Sequence, residues 1–462
     1  MRPFAALMLL LQLPVILSVF NAFLRRQPWV RYLPAVSLIL LMIHVWADQE
    51  PFFPRMAPAY LLVAASFALS LPLLLHGTHQ RIPRWLLVTG ACLGIVLFAI
   101  AVAVPLLLLP FKPLPAPTGP YRIQTRVYQW ARSSLDQARQ AQTSGDDRIT
   151  VQDWYPADLA NEMLEDVKRV DAGQSATWPF VFYAPGTFGS RSSGVSTCLE
   201  LASHGYIVAS IDHPGQALFT RLPGGGFELP DRQYLEEALA FSSGRLGLAD
   251  ETRLGQKWQA VRVADIRLAL AQLAALASSG RDPLAARIDL ARIGMVGHSL
   301  GAGAVLQICR EDRICQALAL LDGSLYGDVA LPQNNVEFTS DGEPYTRPLL
   351  CLLSARYAQN MDSLAINSLM PALFQQAQAP AFQEIIEQAG SLNMTSLVLQ
   401  SPLLARLLGG SGSIDAVQGL NLTDASVLVF LNCYLKGNCA AGLAEGAGIS
   451  SGLVISSRNV LR

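Results

Sequence analysis

The chain has 462 residues, a formal charge of −1, 51% hydrophobic and 15% charged residues. The length predicts two or three domains, and the near-zero charge with no basic domain excludes nucleic acid as an expected partner. So few charges among so many apolar residues exclude an ordinary soluble protein and direct attention first to membrane segments.

Four apolar runs come first: residues 3–23, 32–46, 56–75 and 85–109. Three are near the ~20 residues that cross a bilayer, and the second is shorter. They predict an all-α transmembrane region of about four helices over residues 1–110. The first run also has the apolar character of a signal peptide, but no clear A-x-A site follows it. Arg25, Arg26 and Arg31 lie between runs one and two, and Arg81 and Arg84 between runs three and four. Asp48, Glu50 and only Arg55 lie in the loop between. Positive-inside bias then puts the first and third loops in the cytoplasm and everything after Lys112 outside it. Trp29, Trp46 and Trp85 stand near the predicted ends, as interfacial anchors do. The run interiors hold no acid, only groups such as Gln12, Ser37 and Thr89, so anchoring is expected rather than transport.

Residues 111–120 (Phe-Lys-Pro-Leu-Pro-Ala-Pro-Thr-Gly-Pro) form a Pro-rich, semi-rigid linker. A globular domain over 121–462 follows. Its predicted strands are 122–130, 148–154, 180–185, 207–211, 293–296, 317–321 and 349–353; its predicted helices are 196–204 and 257–277. Residues 216–250 read as irregular and Gly-rich. Near-continuous apolar strands alternating with helices predict a mostly parallel α/β sheet with helices on both faces. Residues 357–415 are apolar and helical in bias. They read as a helical insertion, either a cap over the site or a second packed subdomain.

The informative stretch lies at the end of the strand 293–296. Gly297-His298-Ser299-Leu300-Gly301 is a G-x-S-x-G pattern, followed by small residues and a helical run. Strand, tight turn and helix in that order are the context of a nucleophile elbow, with Ser299 at a strand's carboxyl end and a helix N-terminus. Among the seven cysteines, Cys309/Cys315 and Cys433/Cys439 are close pairs. In a domain outside the cytoplasm such spacing predicts two local disulfides; in a cytosolic one the thiols would stay reduced. No cysteine or histidine set stands at ligand spacing, so no metal is expected, and no cofactor is implied.

Several stretches together resemble the plasma-type platelet-activating-factor acetylhydrolases and their bacterial relatives, a family of α/β-hydrolases. They are Gly119-Pro120-Tyr121 with Thr125-Arg126, Val151-Gln152-Asp153-Trp154-Tyr155-Pro156-Ala157, Leu201-Ala202-Ser203-His204-Gly205-Tyr206-Ile207-Val208 and the Ser299 pentapeptide. The resemblance implies an α/β-hydrolase fold. It implies Ser299 as nucleophile, Asp322 as acid, and the Leu300 and Thr187 N–H groups as oxyanion donors. It implies a lipid or small ester as substrate, of the short-acyl or phospholipid type.

Two elements depart from this pattern: Pro185 stands before the oxyanion glycine, where the family usually has histidine, and the later histidine is missing. No histidine follows His298. The stretch similar to the family's histidine segment is Gly419-Leu420-Asn421-Leu422-Thr423-Asp424, with Gly419 at the histidine position. His213, at a strand end, is the candidate substitute base; the side chain of His298 is expected to point away, and His204 to cap or pack a helix. A serine without a base is a weak nucleophile. Two readings therefore stand: a membrane-anchored serine esterase, or a catalytically lapsed hydrolase domain that binds lipid or a partner.

Overall fold

A computed structural model describes residues 3–17, 27–47, 57–76, 84–108, 112–132, 148–157, 177–222, 226–330, 337–338, 344–360, 369–407, 410–439 and 453–458. They form two compact units. The first comprises Met1–Pro113 with Leu399–Leu407, and the second Leu114–Val398 with Leu408–Arg462.

The first unit is helical: α1 (Pro3–Leu17), α2 (Leu33–Ala47), α3 (Ala57–His76) and α4 (Arg84–Ala103). Each coincides with one of the four apolar runs. Helices α1 and α2 have 15 residues each, a reach of about 22 Å against the ~30 Å of bilayer hydrocarbon. Among the described residues no helix is long and apolar enough to cross a membrane. The expected spans are therefore present as apolar helices and not supported as crossings. The loops whose charges would set orientation, 18–26, 48–56 and 77–83, lie outside the described residues.

The second unit is built on a nine-stranded sheet. Its strands are β1 (Ile123–Ala131), β2 (Arg148–Pro156), β3 (Trp178–Ala184), β4 (Ile207–Asp212), β5 (Ile288–His298), β6 (Ala317–Leu321), β7 (Leu349–Ser354), β8 (Ala381–Ile386) and β9 (Leu453–Arg458). The spatial order is β1-β2-β4-β3-β5-β6-β7-β8-β9. Neighbours from β4 to β8 are parallel; β1, β2 and β9 pair antiparallel at the two edges. Every residue of β4, β6 and β7 is buried, because helices cover both faces. Helices α7 (Leu248–Ser279) and α8 (Leu300–Glu311) contribute to one core with Phe182, Met295 and Leu320. Helices α5 (Val195–Ser203) and α9 (Ala416–Lys436) contribute to the other with Val208, Leu321 and Leu352.

Three stretches differ from expectation. Residues 216–250 are not irregular throughout. They hold a short hairpin, Thr220–Arg221 with Phe227–Glu228, and α6 (Arg232–Ser242), which buries Tyr234 and Ala238 one turn apart. The expected helical insertion 357–415 contains a sheet strand, β8, which pairs in parallel with β7. Its apolar Phe382, Ile385 and Ile386 fit helical spacing equally well, and pairing with β7 decides the outcome. Residues 416–436 form the 21-residue α9, against an expectation of a loop-borne site segment. Both expected cysteine pairs, Cys309–Cys315 and Cys433–Cys439, are disulfides.

Phe182 lies mid-sheet and is fully buried. Phe182→Ala is expected to destabilise the second unit by about 3–5 kcal/mol, read as a lowered denaturation midpoint; an unchanged midpoint would contradict this core.

Candidate active site

Strand β5 ends at His298 and α8 begins at Leu300, so Ser299 alone makes the corner. Its backbone has φ 51° and ψ −120°, a region where an L-residue stores about 1–3 kcal/mol of strain. Three main-chain hydrogen bonds hold it there. Its N–H donates to Leu321 O at 2.9 Å, and its carbonyl accepts from Ala302 N–H and Ser324 N–H, both at 3.0 Å. Flanking glycines are required sterically. A Cβ on Gly297 would stand 2.5 Å from Ala302 Cα, and one on Gly301 would stand 2.3 Å from Ala184 O. Ser299 itself is half-buried, so its hydroxyl is not sealed in the core.

The turn after β3 passes beside it. A Cβ on Gly186 would lie 3.0 Å from Ser299 Cβ and 2.7 Å from His298 Nδ1. Thr187 follows in that turn and is exposed. Leu300, the first residue of α8, has an N–H with no intrahelical acceptor. Gly186, just before Thr187, and Leu300 thus flank the Ser299 corner, one from each element.

Asp322 follows β6 with φ 43° and is buried. Its N–H donates to Leu352 O at 3.0 Å. Its Oδ1 accepts from Ser354 N–H at 2.7 Å and its Oδ2 from the Ser354 hydroxyl at 2.6 Å. The Ser391 side chain lies near it and favours the ionised form, at a geometry outside that of a full hydrogen bond. Burial pushes its pKa up to about 6, and these hydrogen bonds restrain the rise. The acid is therefore satisfied by the Ser354 hydroxyl and backbone N–H, not by an imidazole.

The second unit holds three histidines, and each has another partner. His204 Nε2 lies 3.0 Å from Thr118 Oγ1 and 3.2 Å from Glu200 Oε1. His298 Nε2 lies 3.0 Å from Ser391 Oγ and 3.2 Å from Ser391 O. His213 is wholly buried, with Nδ1 2.9 Å from Asp265 Oδ2 and Nε2 without a partner. Desolvation pushes the pKa of both His213 and His298 down to about 4, so both rings are neutral near pH 7. Strand β3 separates β4, which carries His213, from β5. The sheet thus places His213 two strand positions from the Ser299 corner, with its Nδ1 engaged by Asp265.

Gly419 is in the first turn of α9 and donates to Asp415 O. It is not in the loop after the last parallel strand. That loop, 387–393, follows β8 and carries Ser391 against Asp322. Gly419 packs on the same loop, where an added Cβ would stand 3.0 Å from Asn393 O. Reading residues 381–386 as helix hid both Ser354 and Ser391 as partners of the acid. The Pro380 before that run and the Gly390 after it were the available strand signals.

With this geometry in place, comparisons with known proteins agree on the architecture. A family model described as platelet-activating factor acetylhydrolase, isoform II, matches residues 159–221. A probable 1-alkyl-2-acetylglycerophosphocholine esterase of Arthroderma benhamiae is 29% identical over 150 residues, 32% of each chain. The chain thus matches about a third of that relative's length. The solved ferulic acid esterase of Streptomyces cinnamoneus superposes with a TM-score of 0.54 at 21% identity, covering 74% of this chain and 98% of the esterase. Sheet order, elbow and structural likeness together give the second unit the α/β-hydrolase fold.

Proposed function

We propose that the chain is a serine ester hydrolase held at a lipid surface, acting on short-acyl or phospholipid-type carboxylic esters. The observation that carries this reading is the strained Ser299 corner, its hydroxyl accessible and its flanks supplied by the Gly186–Thr187 turn and the α8 N-terminus. In the acyl-transfer step Ser299 Oγ attacks the ester carbonyl. The Leu300 and Thr187 N–H groups receive the oxyanion, the ester C–O bond breaks, and the serine proton ends on the departing alkoxide by way of solvent; water then cleaves the acyl-serine ester, releasing the acid and returning a proton to Ser299 Oγ. The phospholipid-like substrate class is supported by the segment matches to acetylhydrolase and acetylglycerophosphocholine esterase. Lipid attachment is supported by the first unit, which exposes Leu10, Ile39, Met42, Leu61, Trp85 and Leu107 on its helices; water does not favour so large an apolar surface. A position outside the cytoplasm is supported by the two disulfides.

A second reading, a lapsed hydrolase that binds an ester or a partner in the same pocket, is favoured by one observation. Asp322 meets Ser354 and Ser391 where an orienting acid would meet an imidazole. Loss of the base from a triad lowers turnover by about 10⁴–10⁶.

A fluorophosphonate probe separates the two. Labelling of the full-length chain that disappears in Ser299→Ala, with hydrolysis of a short-acyl ester lost in parallel, is the expected result. Labelling that persists in Ser299→Ala would sink the serine-hydrolase reading, and an unlabelled wild type that still binds ester-bearing vesicles would establish the second. Resistance of the chain to alkaline carbonate extraction is expected from membranes; release into the supernatant would refute attachment.

The acid gives a pH signature. A raised pKa means that folded Asp322 keeps a proton that the unfolded chain releases from about pH 4 upward. Its stabilising contribution is complete below that pH and is lost as pH rises through about 6. The rise of roughly two units corresponds to about 3 kcal/mol. Asp322→Asn is expected to flatten the fall in stability between pH 4 and 6; an unaltered pH profile of the denaturation midpoint would contradict the assignment.

A further inference from the structure

Arg262 lies in α7 and is wholly buried. A guanidinium stays protonated even so, and a buried charge without an acid beside it is strongly disfavoured. Among the described residues no carboxylate forms an ion pair with it. Asp265, one turn on, is engaged by Arg132 at 2.7 Å and His213 at 2.9 Å. Arg262 NH1 donates to the Pro185 carbonyl at 2.8 Å. Its Nε has no hydrogen-bond partner, and the Tyr234 hydroxyl faces the guanidinium at a geometry outside that of a full hydrogen bond.

Pro185 is the residue immediately before the Gly186–Thr187 turn. Its carbonyl also lies 2.5 Å from where a Cβ on Gly301 would stand, so it is wedged between the guanidinium and the serine corner. Among the described residues no peptide bond is cis. In the planar trans unit, fixing the Pro185 carbonyl fixes the Gly186 N–H opposite it, and with it the entry into the turn. The guanidinium also polarises that peptide, with its positive end toward the turn. Asp265 acts on the guanidinium through space but makes no ion-pair contact with it, and a charge bonded to this one carbonyl matches a negative charge that forms only transiently on the turn's other side.

We propose that Arg262 is a positioning residue for ester hydrolysis: it pins the oxyanion turn through the Pro185 carbonyl and sets a buried positive charge behind it. This rests on the serine-hydrolase reading of Ser299. An interaction aimed at charge developing in the transition state lowers the barrier without tightening substrate binding.

The test uses the full-length chain in detergent, a soluble short-acyl ester, and an alkyl trifluoromethyl ketone, whose tetrahedral adduct carries the same oxyanion. Arg262→Gln keeps a donor and removes the charge. It is expected to lower kcat by at least about tenfold with KM within about twofold, and to weaken the ketone by the same factor as kcat. Arg262→Lys keeps the charge and loses the planar fork, and is expected to fall between the two, again with kcat and ketone affinity moving together. If Arg262→Gln does not fold, Arg262→Lys decides on that parallel loss. Unchanged kcat, a change confined to KM, or a fall in kcat that the ketone does not follow overturns the proposal while leaving the serine hydrolase intact. A wild type that neither labels nor turns over overturns both.

Discussion

Ser299 occupies a backbone region that an L-residue enters only under strain, and three main-chain hydrogen bonds hold it there. Two of them reach across to the chain leaving β6, at Leu321 and Ser324. The corner is therefore not a property of the pentapeptide alone. It requires β5 and β6 to be parallel neighbours in the register that sets His298 beside Leu321, which in turn requires the intervening α8 to pack against the sheet. Gly297 and Gly301 make that packing close enough, one against α8 and the other against the end of β3. A register slip of one residue would move every strand side chain to the opposite face and abolish the corner with it.

Below that corner the polar groups form a chain. His298 meets Ser391, Ser391 meets Asp322, and Asp322 meets Ser354. These contacts tie the ends of β5, β6 and β7 to the loop after β8. The acid at the centre is held by neutral donors, so little offsets its desolvation and its pKa stays high. A carboxylate beside an imidazolium would behave in the opposite way. The same residues that close the edge of the sheet thus also set the protonation state at which it is most stable.

The inner strands were legible because burial on both faces writes them as unbroken apolar runs: β6 is Ala-Leu-Ala-Leu-Leu, with bounds identical to those expected. The serine corner was legible because its glycines are sterically obligatory. Strand β8 was not, since Ala-Phe-Gln-Glu-Ile-Ile keeps polar residues at its centre and fits either period; Glu384 is buried in it all the same. That one ambiguity displaced the end of the sheet; Gly419 was placed by resemblance of its segment alone, and it lies in α9. Helix α6 was masked by the glycines around it, and the hydroxyl partners of Asp322 have no local signature, because Ser354 and Ser391 meet the acid only through tertiary pairing.

The coexistence of an intact corner and a missing imidazole has a physical implication. A pocket used only for binding has no need of a β-carbon at position 299. Glycine would adopt φ 51° there without strain, keep the same main-chain hydrogen bonds, and leave the helix N-terminus free to hold an anionic or carbonyl oxygen. The chain instead carries a strained serine whose hydroxyl is accessible, next to a turn whose preceding carbonyl is gripped by a buried guanidinium. Both features destabilise the fold, and under the proposed hydrolysis the guanidinium faces charge that exists only during acyl transfer. Their joint presence weighs toward the proposed chemistry at Ser299 over simple occupancy of the pocket.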